Sequence, residues 1–343
     1  MRPSRCESCR RPVGFDALVC PSCGTELGYV PEELRVRPLA ATATPAVFDV
    51  AAPGGPTGLW RCANAAWGCN WMLPAGTGTE WCRSCALTRG RPDHERPDAV
   101  EAWRAAEAVK RRLVHQLDRL GLPVEPRSAA VPGGLAFDLV HVPGEGGVTG
   151  HLDGVVTLDL TETDEVHRDE LRRRLDEPFR TVIGHLRHEI AHHYWPRLVG
   201  GTDALDGFRE LFGDERAPYA EAMEAYYTTD TTDWDRTRYV SGYASSHPME
   251  DWAESFAHYL HVVDAADTAA AHGLASAADH PDAPEPMQLD VVDLLAVWAP
   301  VCTALNAVAE SLGRPDVYPF EFTGIVVDKL DFVRRRIVAR TGR

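Results

Sequence analysis

Eight of the nine cysteines fall before residue 86, and their spacing restricts how the N-terminal part of the chain can fold. Cys6 and Cys9, then Cys20 and Cys23, are two C-x-x-C pairs separated by ten residues, the arrangement with which a zinc ribbon brings four thiolates to one ion. Cys62, Cys69, Cys82 and Cys85 repeat the theme with one wider gap and a closing C-x-x-C, so a second ribbon-like site is expected. Closed four-thiolate sites leave no position for water, and both are read as structural zinc. Trp60, Trp67, Trp71 and Trp81 interleave with the second set and are expected to form the small core that metal binding organises.

Thiols rather than disulfides follow from the expected location. The first 30 residues contain no apolar stretch long enough for a signal peptide, and no segment is expected to reach the roughly 20 apolar residues of a membrane helix. A cytoplasmic protein is the expectation, in a compartment that keeps cysteines reduced. Cys302, in the mostly apolar run from Leu294 to Val308, reads as a buried core residue. Acidic residues outnumber basic ones 51 to 35, for a formal charge of −16. Nucleic acid is therefore a disfavoured partner, although Arg2, Arg5, Arg10 and Arg11 give the first ribbon local positive charge.

The Ala/Pro/Thr/Gly-rich stretch Pro38 to Gly58 has the composition of a linker. The expected organisation is a zinc ribbon at 1–37, a linker at 38–58, a second ribbon-like module at 59–92 and one main domain at 93–343. Trp103, Val109, Leu113, Leu117 and Leu120 recur at mostly three- and four-residue steps, which predicts a helix from Asp98 to Gly121, stopped by Gly121 and Pro123. Residues 134–141 and 154–160 read as strands of a small sheet. A second helix is expected to begin near Asp176 or Pro178, to carry the stripe Phe179, Val182, Ile183, Leu186 and Ile190, and to end at Trp195-Pro196. Further helices are expected around 203–227, 249–263, 288–311 and 325–340, with 264–287 as an irregular excursion. The fold class is α+β and mostly helical.

His188-Glu189-Ile190-Ala191-His192 matches H-E-x-x-H in the middle of the second helix. Residues four apart lie one turn apart on one face, so both imidazoles can reach a single catalytic zinc. Glu189 is rotated about 100° from His188, too far to be a third ligand but near enough to serve as general base toward a water at the metal. His185 and His193 are read as orienting or surface groups. Leu198 stands where the extended motif would place a third histidine, so the third ligand must come from downstream.

The segment from His247 to His261 can supply it. With Pro248 near the helix start, Glu250, Glu254, His258 and His261 fall within an arc of about 80°, beside an apolar face of Ala253, Phe256, Ala257 and Leu260. Glu250 is assigned as the ligand and Glu254 as the carboxylate that orients a ligand histidine through its free N–H. Asp251 points about 100° away from Glu250 and is the weaker candidate. Tyr243 and His247 are candidates to donate a hydrogen bond to a tetrahedral oxyanion, or a core tyrosine and a helix-capping histidine.

With these residues in place, the chain resembles a bacterial family of zinc-binding metallopeptidases with an N-terminal zinc ribbon. The likeness is carried by the ribbon cysteines, Trp60 to Asn64, Gly150-His151 with Asp153-Gly154, Glu177 to Thr181, His185 to Trp195, His247 to His261, and Tyr318-Pro319-Phe320. The resemblance implies a zincin-like α+β catalytic domain, and Glu250 in Glu-Asp-x-Ala-Glu resembles the glutamate ligand of gluzincin-type peptidases. The chain departs from the family pattern at Ala191, His193 and Met249, none of which is a proposed ligand.

The expected function is zinc-dependent hydrolysis of a peptide or protein substrate, with 154–160 pairing with an extended peptide beside the cleft. A hydrolase acting on a non-peptide amide and a zinc-ribbon adaptor with a catalytically silent metallopeptidase-like domain are the alternatives. Oligomeric state is not legible.

Overall fold

The structure, a computed structural model, describes residues 4–90, 96–141, 149–175, 179–228, 233–275 and 285–342. Arg2, Glu177, the expected helix start at Asp176 or Pro178, and residues 276–284 of the expected excursion lie outside the described residues. The chain is α+β with helices predominant, and it divides into two compact units.

The first unit holds both cysteine clusters. A short pair, β1 (Ser4–Arg5) and β2 (Pro12–Val13), carries the first knuckle. An antiparallel sheet then runs through β3 (Leu27–Val30), β4 (Arg35–Ala41), β5 (Val47–Val50), β6 (Leu59–Arg61) and β7 (Met72–Pro74), each strand beside the next. The linker expected at 38–58 is thus corrected: Leu39 pairs with Val50, Ala41 with Phe48, and Val47 with Trp60. A sheet with one packed face needs only alternate residues to be apolar. Leu39, Val50 and Leu59 meet that need, joining Val30 and Met72 in the core while small residues fill the rest of the stretch.

Within each cluster neighbouring sulfurs stand 3.7 Å apart: Cys6 with Cys23, Cys9 with Cys20, Cys69 with Cys82 and with Cys85. That is far beyond a disulfide. It is close to the roughly 3.8 Å edge of a tetrahedron of thiolates around zinc with Zn–S of about 2.3 Å. Of the four tryptophans, Trp71 is fully buried, its ring 4.4 Å from that of Tyr29, while Trp60, Trp67 and Trp81 are half-buried.

Helix α1 (Pro97–Leu120) ends as expected at Gly121, whose φ of +72° suits glycine. The expected boundary at residue 93 is not where the packing changes, because α1 belongs with the cysteine unit up to Arg119. Arg111 donates to Asp16 at 3.2 Å and to the Gly68 carbonyl at 3.3 Å, Arg104 donates to the Trp67 carbonyl at 3.2 Å, and Tyr29 Oη lies 2.7 Å from His115 Nδ1. A ribbon this small has too little apolar surface to stand alone, and the amphipathic helix covers it.

Strands β8 (Ala136–Val140), β9 (Gly150–Leu152) and β10 (Val155–Asp159) form the expected small sheet in the order β8-β10-β9, and the division between the units falls within β10. Asp153 and Gly154, with φ of +48° and +83°, make the tight turn between β9 and β10.

The second unit is helical. α2 (Glu165–Leu175) was not expected, since its charged sequence has little apolar period. α3 (Val182–Leu198) starts later than expected, because Thr181 caps it by accepting a hydrogen bond from Gly184 N at 3.0 Å. Phe179 lies before the helix and packs on His261. Pro196 does not end α3. Its missing N–H falls in the last turn, and Arg197 donates to the nearby His193 carbonyl.

The helix expected over 203–227 is two helices, α4 (Leu205–Leu211) and α5 (Tyr219–Thr228), broken where Gly213 adopts φ of +105° and Pro218 follows. α6 (Pro248–Ala271) outruns the expected 249–263, since the Ala-rich start of the supposed excursion is good helix former. α7 (Val291–Ser311) and α8 (Ile325–Thr341) complete the unit. Among the described residues α7 is the one helix long and apolar enough to cross a membrane by length and composition, an exception to the sequence expectation. It buries Trp298, Val301 and Cys302, and the Cys302 thiol donates to the Tyr318 carbonyl at 3.4 Å.

α6 is the central element. Trp252 and Phe256 are buried completely, and Phe208, Phe212 and Phe332 gather around Trp252. Lys329 of α8 donates to Asp251 of α6 at 2.6 Å, with both side chains 1% exposed. Asp251 is therefore committed to an ion pair, which settles why it does not join Glu250. Lys329→Met is expected to cost roughly 3–5 kcal/mol, because Asp251, whose carboxyl burial already pushes up to about 7, is left buried without its partner. The double variant Lys329→Met/Asp251→Asn should recover part of that loss in denaturant unfolding at neutral pH.

Candidate metal centre

Helices α3 and α6 bring the site together from residues 62 positions apart. His188 and His192 lie one turn apart on α3, and their Nε2 atoms are 3.3 Å from each other. Glu250, in the first turn of α6, places Oε2 at 3.0 Å from His188 Nε2 and Oε1 at 3.7 Å from His192 Nε2. One ligand atom from each of the three residues lies within 4.8 Å of the others. Trp252, two residues beyond Glu250, donates its indole N–H to the Ala191 carbonyl at 3.0 Å and so locks the two helices at this level.

The donor set fits zinc. Two imidazole nitrogens and one carboxylate are a common catalytic zinc set, one that leaves a fourth position open. The two Nε2 atoms face each other at 3.3 Å, so both can turn a lone pair toward one ion. His188 has its other nitrogen, Nδ1, 2.8 Å from Glu254 Oε1, the carboxylate–histidine contact that fixes which nitrogen of a ligand faces the ion. Glu254 is held in turn by Ser241, whose hydroxyl donates to Oε2 at 2.7 Å while accepting from Ala244 N at 3.0 Å.

The electrostatics say the same. Burial opposes charge on His188, but Glu250 and Glu254 on its two nitrogens outweigh it and push its pKa well above the ordinary value. Burial likewise opposes ionisation of the two carboxyls, and His188 overrides it, taking Glu254 down to about 2 and Glu250 lower still. The cluster therefore attracts positive charge. A proton supplies it in the absence of a cation, and a divalent ion between the same atoms would supply it with His188 neutral.

The remaining sequence candidates fall into place around this set. Glu189 is half-buried on α3, within electrostatic reach of Tyr219 and Tyr243. Tyr243 opens a short 3-10 turn (Tyr243–Ser245), and its ring centroid is 5.8 Å from that of His188. His247 is not available in the same way. It caps α6, its Nδ1 accepting from Met249 N at 3.1 Å and its Nε2–H donating to the Ala217 carbonyl at 3.0 Å. His193 is buried beneath His151, and burial lowers its pKa to about 3, so it is neutral. His185 is half-buried on α3.

His258 and His261 continue the α6 stripe away from the ligands. His258 contacts the Tyr318 hydroxyl through Nδ1, and His261 Nδ1 lies 2.7 Å from a nitrogen of Arg187, which donates to Asp264 at 2.7 Å. Sequence reasoning missed Tyr219. Its hydroxyl donates to Glu250 Oε1 at 2.9 Å, and nothing in a helix with no buried residues marks it beforehand.

The zinc-loaded protein is expected to hold three ions, one for each ligand group, and Glu250→Ala two. An unchanged count on metal analysis would remove Glu250 from the site. Glu254→Gln should keep the ion but weaken its retention against a chelator roughly 10–100-fold.

A family model described as "Putative zinc-binding metallo-peptidase" matches residues 99–336, and a zinc-ribbon domain model matches residues 4–96. An uncharacterized protein of Mycobacterium bovis and uncharacterized proteins of two Mycobacterium tuberculosis strains, CDC 1551 and H37Rv, are each 39% identical over 335 residues. The alignments cover 97% of this chain and 94% of theirs. No solved structure matches the chain. Both H-E-x-x-H and the helix that carries Glu250 lie inside the peptidase match, the cysteine clusters lie inside the ribbon match, and the chain belongs to this family of zinc-binding metallo-peptidases.

Proposed function

We infer that the chain is a zinc-dependent peptidase with a zincin-like domain and a gluzincin-type site. The observation that carries this reading is the convergence of His188, His192 and Glu250, with Glu254 behind His188 and Glu189 beside it. Zinc, when bound, supplies Lewis acidity toward a substrate carbonyl and toward water.

The protein side of the reaction follows from position. Glu189 follows a ligand without being one, and its carboxylate takes the proton of the attacking water and passes it to the leaving amine. Tyr243 donates its hydroxyl proton as a hydrogen bond to the oxyanion. Burial raises the Tyr243 pKa above the ordinary value, which keeps that proton in place. His247 has both ring nitrogens engaged, and the oxyanion role is assigned to Tyr243 alone. The four-thiolate sites act as structural supports, and free thiols suit a reducing compartment such as the cytoplasm.

Strand pairing with a peptide moves from the expected 154–160 to β9. Among the described strands β10 is central and paired on both sides, whereas β9 is an edge. His151 of β9 stacks 6.2 Å from His192, and Leu152 is exposed. An edge strand beside the ligands is where an extended substrate could add a strand of its own. Glu189→Gln is expected to retain three zinc ions while hydrolysis of a broad peptide library falls about 10²–10⁴-fold. Undiminished turnover in a fully loaded variant would exclude this mechanism.

A further inference from the structure

We propose that Tyr219 is a positioning residue that occupies the second oxygen of Glu250 and so confines this carboxylate to a single-oxygen bond with the ion. The inference rests on the reading of His188, His192 and Glu250 as a zinc site. A carboxylate can bind a cation through one oxygen or two. With two imidazoles already present, a two-oxygen glutamate would itself complete four bonds, so water or substrate could enter only by expansion to five-coordination. A donor that holds one oxygen back keeps the fourth position open.

The structure places a donor at that oxygen. Tyr219 Oη donates to Glu250 Oε1 at 2.9 Å, while Oε2 is the oxygen nearer His188 Nε2, at 3.0 Å. Glu250 is 1% exposed, so solvent has little access to compete for Oε1. The hydroxyl is the only donor to that atom, outside the ligand set, found among the described hydrogen bonds.

His247 explains how a residue of a surface helix is held so closely. Its Nδ1 accepts from Met249 N at the start of α6, and its Nε2–H reaches back to the Ala217 carbonyl, two residues before Tyr219. The Tyr219 ring stands edge-on against the His247 imidazole, centroids 5.2 Å apart. The same imidazole thus caps the helix that carries Glu250 and fixes the chain that carries its hydrogen-bond donor. Tyr219 itself is 48% exposed, so losing its hydroxyl leaves no cavity in the core.

Tyr219→Phe tests this directly, since it keeps the ring on His247 and removes only the donor. The readouts are zinc retention against a chelator and the visible absorption of the protein carrying cobalt in place of zinc at this centre, neither of which needs a substrate. Tyr219→Phe is expected to weaken zinc retention roughly 10–100-fold and to change the cobalt spectrum toward higher coordination. Tyr227→Phe, an exposed tyrosine on the same helix, is expected to change neither. Wild-type retention and spectrum in Tyr219→Phe, or an equal change in Tyr227→Phe, would overturn the role of Tyr219 and leave the metal site standing. A wild-type protein that binds only two zinc ions would overturn the site and this inference together. Peptide turnover that is absent from a three-zinc wild type would remove the peptidase reading alone.

Discussion

His188 is gripped on both nitrogens by carboxylates of one helix, Glu250 at Nε2 and Glu254 at Nδ1, and the second unit is organised around that contact. Buried carboxylates are stable only when each finds a positive partner or a set of donors. α6 carries several. Asp251 takes Lys329 from α8, and Asp264 takes Arg187 from α3. Glu250 and Glu254 share one histidine between them, which leaves the centre short of positive charge and makes it a place for a divalent cation. The same pairings that solve the charge problem dock α3 and α8 onto α6, so stability and metal affinity are set by one group of contacts.

The cysteine unit solves a different problem by similar means. Its sheet packs a small cluster of buried residues, Val30, Leu39, Val50, Leu59 and Met72. Sulfur spacings of 3.7 Å show both clusters preset for tetrahedral metal, and a bound ion there adds its binding energy to folding. α1 contributes the rest of the apolar cover and a series of arginine contacts to Asp16, Trp67 and Gly68. The ribbons are therefore parts of a single sheet-and-helix unit rather than two beads on a linker.

The sequence by itself determined whatever depends on one element at a time. Thiolate spacing fixed the ribbon sites, and helical period put His188 over His192 and Glu250 over Glu254 before any packing was considered. Local signals also gave α1, its Gly121 stop, and β8 and β10. They failed where a neighbour in space made the decision. Pro38 to Gly58 looks like a linker because its small residues carry no apolar period, yet it holds β5 and most of β4 in a five-stranded sheet completed by strands before and after it. Asp251 and Glu250 differ in role because Lys329 arrives beside one and the imidazoles beside the other. His247 was a candidate donor until Ala217 and Met249 took its two nitrogens, and Tyr219 had no local mark at all. Residue type and periodicity are properties of a segment, whereas a hydrogen bond between positions 31 or 62 apart in the chain exists only once packing has closed that distance.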